Sequence, residues 1–131
     1  MFKLKNVNIQ VDRMTIKNNH LEQGEFKLNP NLSRKIGQLK DSVYYTELRL
    51  IIKDEPDFRF PIDLEINIKA IFSFEDIKEE TKKDIDLFLK KQGVHILYPY
   101  LRSAVSNLTT NALLPPVVLP IINAMTLFEE K

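Results

Sequence analysis

Residues 62–69 read IDLEINIK, and this short stretch decides the fold class. Every second residue is aliphatic, while the residues between them are aspartate, glutamate, asparagine and lysine. A period of two places the two kinds of side chain on opposite faces of a β-strand. We therefore predict a strand whose aliphatic face lies against a core and whose polar face meets solvent.

The segment just before this strand predicts a partner for it. One parity carries mostly apolar residues, namely Tyr44, Thr46, Leu48, Leu50 and Ile52. The other parity carries charge at Glu47, Arg49 and Lys53. Residues 54–57 read DEPD, a composition typical of a turn, so the two strands are expected to form an antiparallel hairpin.

Further strands are predicted nearer the N-terminus. In the first, the apolar parity switches twice, through the sets Phe2 and Leu4, then Val7, Ile9 and Val11, then Met14 and Ile16. Each switch predicts a β-bulge or a bend, because one extra residue reverses which side chains face the core. The second segment has a shared parity that includes a proline, which favours an edge strand. Its members are Phe26, Leu28, Pro30, Leu32 and Ile36.

Helices are predicted after the strands. Residues 73–76, SFED, resemble a helix N-cap, and the charged segment that follows predicts a short helix ending at Gly93. A main helix is then predicted, with Pro99 accepted in its first turn. Its apolar residues at helical spacing are Val94, Leu97, Leu101, Val105 and Leu108. With a last short helix over residues 124–130, this order indicates one antiparallel α+β domain spanning 1–131.

Composition argues against several classes of function. The net charge of +1 gives no field that would attract nucleic acid. Gly24, Gly37 and Gly93 are too far apart to form a phosphate-binding loop. The chain has no cysteine and only two histidines, His20 and His95, neither at ligand spacing from another, so no metal site is expected. Ser103 and Ser106 fall on the predicted apolar helix with no nucleophile motif, so we do not expect an enzyme.

The first residues do not predict a signal peptide. Residues 1–10, MFKLKNVNIQ, lack the apolar centre of a signal peptide. The longest apolar run is shorter than the roughly 20 residues that a membrane-spanning helix needs, and it contains prolines. Together with the absence of cysteine, these features predict a cytoplasmic protein without direct membrane insertion.

The most unusual segment is residues 112–123, ALLPPVVLPIIN, which we term the connector. Its prolines at 115, 116 and 120 exclude a regular helix or a central strand. No charged residue occurs from Ser103 to Phe128. Apolar surface that a chain cannot fold away typically marks a place where another molecule binds. The alternative interpretation of the connector is that it only fills the core.

Two groups of residues around the connector resemble the SecB family of protein-export chaperones. Residues 96–102 read ILYPYLR and are followed by Ser106-Asn107-Leu108, and residues 114–123 read LPPVVLPIIN. The order and the separation of these groups are similar to those of the family. The resemblance is specific over residues 94–128 and covers most of the chain more loosely.

The resemblance implies a fold and a mode of action. A SecB-like fold is α+β, with a four-stranded antiparallel sheet and two main helices on one face, to which this chain adds the short charged helix. The family assembles as a homotetramer, a dimer of dimers packed through its helices. Its members are ATP-independent chaperones without a cofactor, and they hold unfolded or extended polypeptides in an apolar groove that keeps them from aggregating.

The resemblance also implies which residues bind. The family's groove is bounded by the second strand, the connector and the last helix. By position, the client-binding residues are Leu28, Leu32, Ile36, Leu114, Val117, Val118, Leu119, Ile121, Met125 and Phe128. Exporting members dock on the motor SecA through carboxylates on the outer face of the sheet. Glu65 occupies one matching position on the fourth strand, whereas Asp12 in the first strand is one acid among bases such as Arg13. Only weak docking through Asp12 and Glu65 is therefore expected.

Alternatives to general export stay open. The chain could be a SecB-like chaperone dedicated to one client, such as the antitoxin of a toxin-antitoxin system. It could also be a structural oligomeric subunit in which the connector is an interface and no client binds. An enzyme or a carrier of small lipids is the third alternative, although no group of residues suggests its chemistry.

Overall fold

The computed structural model describes residues 2–22, 24–120, 123–124 and 127–128. These residues form four β-strands and one long α-helix, namely β1 (Lys3–Asn18), β2 (Asn31–Lys40), β3 (Val43–Ile52), β4 (Ile62–Glu75) and α1 (Lys82–Asn111). The strands make a single antiparallel sheet in the order β1-β4-β3-β2. The α+β architecture with a four-stranded antiparallel sheet, predicted from the sequence, is therefore confirmed.

The β3–β4 hairpin lies at the centre of the sheet, as predicted. Leu48 lies opposite Ile68 and Leu50 opposite Ile66, and all four side chains are buried. Burial of one such side chain contributes about 1.5–3 kcal/mol, so this aliphatic face is the main source of stability. The predicted DEPD turn lies in the connection between the two strands.

The two edge strands also follow the sequence pattern. β1 pairs with β4 along its length, with register shifts between Leu4 and Asn6 and between Val11 and Arg13. These irregularities coincide with the two switches of apolar parity, so the predicted bulges are confirmed. β2 is the other edge strand, as predicted, but it begins at Asn31. Phe26, Leu28 and Pro30, which were expected within this strand, lie before it.

The predicted helix break at Gly93 is wrong. α1 continues through this residue for 30 residues in all, so the charged segment and the main apolar segment form one helix. Gly93 is buried against Thr46 of β3, whose hydroxyl donates a hydrogen bond of 2.7 Å to the carbonyl of Leu89. Glycine serves here for close packing of the helix on the sheet, not for ending the helix.

Two smaller predictions about α1 are also wrong. Ser73 lies within β4 and is not a helix cap, and a 3₁₀ turn at Glu79–Thr81 leads into α1. Pro99 lies in the interior of α1, not in its first turn. Proline has no N–H, so the carbonyl of His95, one turn earlier, loses its usual donor. Both residues are on the exposed side of the helix, where the lost hydrogen bond costs least.

α1 covers one face of the sheet and completes the core. Its buried residues recur at helical spacing and are Ile85, Leu89, Gly93, Val94, Leu97, Tyr98, Leu101, Val105 and Thr109. Within the described part of the chain, α1 is the single α-helix. The predicted last helix over 124–130, the second main helix of the expected fold, falls mostly outside the described residues.

Candidate functional site

The chain reverses its direction at the end of α1. Leu113 adopts a left-handed backbone conformation with φ of 62°, which few residues other than glycine tolerate. The Leu114 N–H then donates a hydrogen bond of 3.1 Å to the carbonyl of Thr109. The connector leaves this turn and runs back along the helix that it has just left.

Polar side chains of α1 bind the main chain of the connector. Thr109 Oγ1 accepts a hydrogen bond of 3.0 Å from the Val117 N–H, and Ser106 Oγ donates one of 3.1 Å to the Val117 carbonyl. The Thr109 hydroxyl in turn donates to the carbonyls of Val105 and Ser106. Both polar groups of the Val117 backbone are therefore satisfied by helix side chains, not by a neighbouring strand.

The same arrangement continues towards the start of the helix. Arg102 Nε donates to the Leu119 carbonyl at 3.0 Å, and the Tyr98 hydroxyl donates to the Pro120 carbonyl at 2.8 Å. Burial raises the pKa of Tyr98 despite the opposing charge of Arg102, so the hydroxyl stays protonated. Side chains three or four positions apart share one helix face, and we term these four residues the polar row. Its members are Tyr98, Arg102, Ser106 and Thr109.

The connector's side chains alternate in their burial. Leu119 is only 3% exposed and packs in the core, whereas its neighbour Val118 is 61% exposed. Leu114 and Val117 are half-buried against the core. The connector therefore resembles a short strand laid on a helix, with Leu119 as its anchor and Val118 pointing outwards.

An open cleft of about 890 Å³ lies beside the first half of the connector. Its walls come from the loop between β1 and β2, from the end of the β3–β4 connection and from the connector itself. The apolar lining residues are Leu21, Phe26, Phe60, Pro61, Ile62, Leu114, Pro115, Pro116 and Val117. Phe26 and Phe60 meet edge to face with ring centroids 6.4 Å apart. Asn18, His20 and Glu22 also line the cleft, but most of its lining residues are apolar, so it can accept aliphatic or aromatic side chains.

β2 and the segment before it supply a second apolar surface. Leu28, Leu32 and Ile36 are half-buried against the core, on the side that faces α1. Between them, Arg34 donates a hydrogen bond of 3.0 Å to the carbonyl of Lys90 on α1. Its guanidinium also lies 5.0 Å from the centre of the Phe128 ring, a cation–π contact.

The expected client-binding residues lie in different parts of the structure and differ in their exposure. Leu114 and Val117 line the cleft, Val118 is exposed beside it, and Leu119 is sealed in the core. Leu32 and Ile36 lie in β2, Leu28 lies just before it, and Phe128 contacts Arg34 of this strand. Ile121 and Met125 fall outside the described residues. No observation yet tests whether this set binds a client, so it stays a prediction.

Some residues of the site were not predicted from the sequence. Leu21, Phe60 and Pro61 line the cleft but lie in connections, where no periodic pattern indicates which side chains converge. The polar row was also missed, because Ser106 was interpreted only as a helix residue. The available signal was the helical spacing of the polar residues at 98, 102, 106 and 109.

The outer face of the sheet pairs both candidate docking carboxylates with cations. Asp12 lies 3.2 Å from Lys69, and this contact raises the pKa of Lys69. Glu65 lies 3.2 Å from Arg49 and 3.7 Å from Arg13. The acidic groups of the expected weak docking surface are therefore partly neutralised by cationic side chains of the sheet.

Comparison with known proteins identifies the family of this chain. The model of the family described as "Preprotein translocase subunit SecB" matches residues 5–131. The chain belongs to the SecB family. It is 34% identical over 112 residues to the protein-export protein SecB of Neisseria meningitidis serogroup A, which covers 85% of this chain and 74% of the relative. It is 30% identical over 102 residues to an uncharacterized protein of Methanocaldococcus jannaschii, covering 76% of this chain and 64% of that protein.

A solved structure supports the fold of this SecB-family chain. The SecB-like chaperone Rv1957 of Mycobacterium tuberculosis, solved in complex with a ChAD peptide from the HigA1 antitoxin, matches with a TM-score of 0.76. The match covers 92% of this chain and 90% of the other at 16% identity. The resemblance to SecB stated from the sequence is confirmed. Family membership also confirms that the protein is not an enzyme.

Neither a metal site nor a membrane-spanning helix is found among the described residues. Within them, no group of three or more histidine, cysteine, aspartate or glutamate residues could hold a metal ion. Of the helices in this part of the chain, none is long and apolar enough to cross a membrane.

Proposed function

We propose that the protein is a cytoplasmic, ATP-independent chaperone that binds unfolded or extended polypeptides and keeps them from aggregating. The observation that carries this proposal is the open apolar cleft, one wall of which is a proline-rich connector held by the polar row. A wall fixed in this way is available to a visiting chain without first being ordered, so binding costs it little conformational entropy.

The physical chemistry of the cleft suits a broad range of clients. Apolar contact is non-directional and contributes about 25 cal/mol per Å² buried, so an aliphatic and aromatic lining accepts many sequences. Ordering an extended client costs about 1–2 kcal/mol for each residue fixed, which offsets much of this gain. Affinity then requires contacts over several residues, and we infer that the client continues from the cleft along Leu28 and Leu32.

The expected client-binding residues take different parts in this proposal. Leu114, Val117 and Val118 contact the client directly, together with Leu21 and Phe26 of the loop between β1 and β2. Leu119 anchors the connector in the core and does not touch the client, because it is 3% exposed.

The test is suppression of aggregation without nucleotide. The purified chain is mixed with an unfolded, aggregation-prone protein, and light scattering is followed at increasing molar ratio. We expect suppression near stoichiometric amounts, together with binding of a labelled extended apolar peptide. If the chain oligomerises but neither suppresses scattering nor binds the peptide, the alternative of a structural subunit is correct.

A dedicated client is the second candidate function. It is favoured by the outer face of the sheet, where Asp12 and Glu65 are paired with Lys69 and with two arginines and so offer less free negative charge to a motor such as SecA. The fold also matches that of a SecB-like chaperone solved with an antitoxin peptide. Measured affinity for SecA decides between the two: tight binding favours export, and no binding favours a dedicated client such as an antitoxin.

We further propose that the chain assembles into a homotetramer, a dimer of dimers. β1 is an edge strand with a row of exposed apolar side chains, Leu4, Val7, Val11 and Met14. An open apolar cleft of about 690 Å³ lies between this strand and the exposed side of α1, where Tyr100 is 54% exposed. Copies of the chain would bury this surface, and light scattering coupled to size exclusion measures the resulting mass.

A further inference from the structure

Residues 117–119 of the connector follow the alternation of an extended chain, which ends at Pro120, because the Pro120 carbonyl also accepts a hydrogen bond from α1. In such a chain, the N–H and C=O of one residue point to one edge and those of the next residue point to the other. Val117 directs both groups to Thr109 and Ser106 on α1. Leu119, two residues on, directs its carbonyl to Arg102 on the same helix. The edge of the connector that carries Val117 and Leu119 is therefore occupied by α1.

Val118 lies between these two residues and must direct its N–H and C=O to the opposite edge. Among the described residues, none forms a hydrogen bond with either group. The residue is 61% exposed and lies next to Val117, which lines the open cleft. One donor and one acceptor of the main chain thus face outwards at the rim of the proposed client site.

The flanking prolines limit this outer edge to one donor. Pro116, two residues before Val118, has no N–H to offer at this edge. Pro120, two residues after it, also lacks an N–H and directs its carbonyl to Tyr98 of α1. A longer free edge would pair with other edges and promote aggregation, and proline is a usual means of preventing this. The prolines therefore make the connector a poor partner for another complete strand and leave a single site at Val118.

We propose that the Val118 N–H and C=O bind the main chain of an extended client, one residue of which exchanges two hydrogen bonds with Val118 as in an antiparallel strand pair. This inference rests on the proposed chaperone function and adds the mode of recognition. Every residue except proline carries both groups, so the contact is independent of the client's sequence. It fixes the direction of the client and brings its side chains over the apolar cleft.

The experiment compares two substitutions of the same residue. Val118→Pro removes the donor while keeping an extended backbone, and Val118→Ala keeps the donor while shortening the side chain. Affinity is measured by fluorescence anisotropy with a labelled extended apolar peptide. We expect Val118→Pro to weaken binding by about tenfold more than Val118→Ala does. Equal affinities of the two variants would overturn the inference and leave the chaperone proposal intact.

A second measurement protects against a displaced connector in Val118→Pro. The peptide is N-methylated at one backbone amide at a time, which removes single donors from the client. With the unsubstituted protein, we expect one position to lose affinity more than its neighbours, because its N–H donates to the Val118 carbonyl. Proline keeps this carbonyl, so the same position should stand out in Val118→Pro when the connector stays in place. A flat profile with the unsubstituted protein contradicts the inference. Absence of any binding to the unmodified peptide contradicts the chaperone function as well.

Discussion

Gly93 of α1 lies directly against Thr46 of β3, with no space for a side chain between them. A Cβ atom at position 93 would be 2.7 Å from the Cβ of Thr46 and still closer to its hydroxyl oxygen. That hydroxyl already donates to the Leu89 carbonyl one turn earlier in the helix. This contact fixes the distance between the helix and the sheet, and thereby the position of the polar row.

The substitution Gly93→Ala is expected to destabilise the protein. Alanine is favoured over glycine by about 1 kcal/mol in an exposed helix, but overpacking a close contact costs about 1–3 kcal/mol or more. We expect the second effect to dominate and the midpoint of urea unfolding to fall. Gly24→Ala is the matched control, because the nearest side-chain atom to a Cβ there is 3.9 Å away. An unchanged midpoint for Gly93→Ala would show that the helix can move off the sheet without cost.

Gly93 also shows where prediction from sequence fails. The same residue type ends helices and permits close packing, and only the opposite residue, Thr46, distinguishes the two uses. Strands were easier to predict, because the alternation at 62–69 and the parity switches of β1 report local geometry directly. The cleft depends on loops that converge from distant parts of the chain, so Leu21 and Phe60 carried no local signal.

Thr109 is expected to control the mobility of the connector. Thr109→Val keeps the shape of the side chain but removes the oxygen that accepts from the Val117 N–H, whereas Thr109→Ser retains it. We expect amide hydrogen exchange at Val117 to accelerate in Thr109→Val and to stay near its original rate in Thr109→Ser. Peptide affinity should follow the same order if a fixed wall favours binding. The same exchange rate in both variants would contradict a role for this hydrogen bond.

Acid is expected to loosen the β3–β4 connection through Asp63. Burial alone would raise the pKa of Asp63, but hydrogen bonds from the Asp54 N–H and from Asn19 outweigh it and lower the pKa. A carboxyl whose pKa is lower in the folded state stabilises the fold above its unfolded pKa, and this contribution is lost as the pH falls through the folded value. Unfolding free energy should therefore decline below about pH 4.

The substitution Asp63→Asn tests this dependence, because asparagine keeps an accepting oxygen but cannot ionise. We expect urea unfolding of this variant to vary less with pH between about 2 and 4 than that of the unsubstituted protein. Asp57→Asn is the control, since Asp57 lies in the adjoining β3–β4 connection and is exposed. The same slope for Asp63→Asn and the unsubstituted protein would exclude Asp63 as a source of acid sensitivity.

Self-association is expected to depend on the apolar side of β1. Val11→Asp places a carboxylate in the open cleft between β1 and α1, where a second copy would have to desolvate it. We expect the mass from size exclusion with light scattering to fall to that of a smaller species. Asn8→Asp adds the same charge to an exposed position of the same strand outside that cleft. Loss of the oligomer in both variants would indicate a general effect of charge on β1.

Client binding is expected to depend on the loop between β1 and β2. Leu21 lines the large cleft and is only partly exposed, so Leu21→Asp introduces a carboxylate that a bound apolar side chain would strip of water. We expect peptide affinity to fall by about tenfold or more, with suppression of aggregation lost in parallel. The control is Leu39→Asp on β2, which makes the same substitution at a residue that is 51% exposed and does not line the cleft. If Leu21→Asp binds the peptide as tightly as the unsubstituted protein does, the client does not use this cleft. An equal loss of affinity in both variants, with unchanged urea unfolding, would indicate a general effect of the added charge.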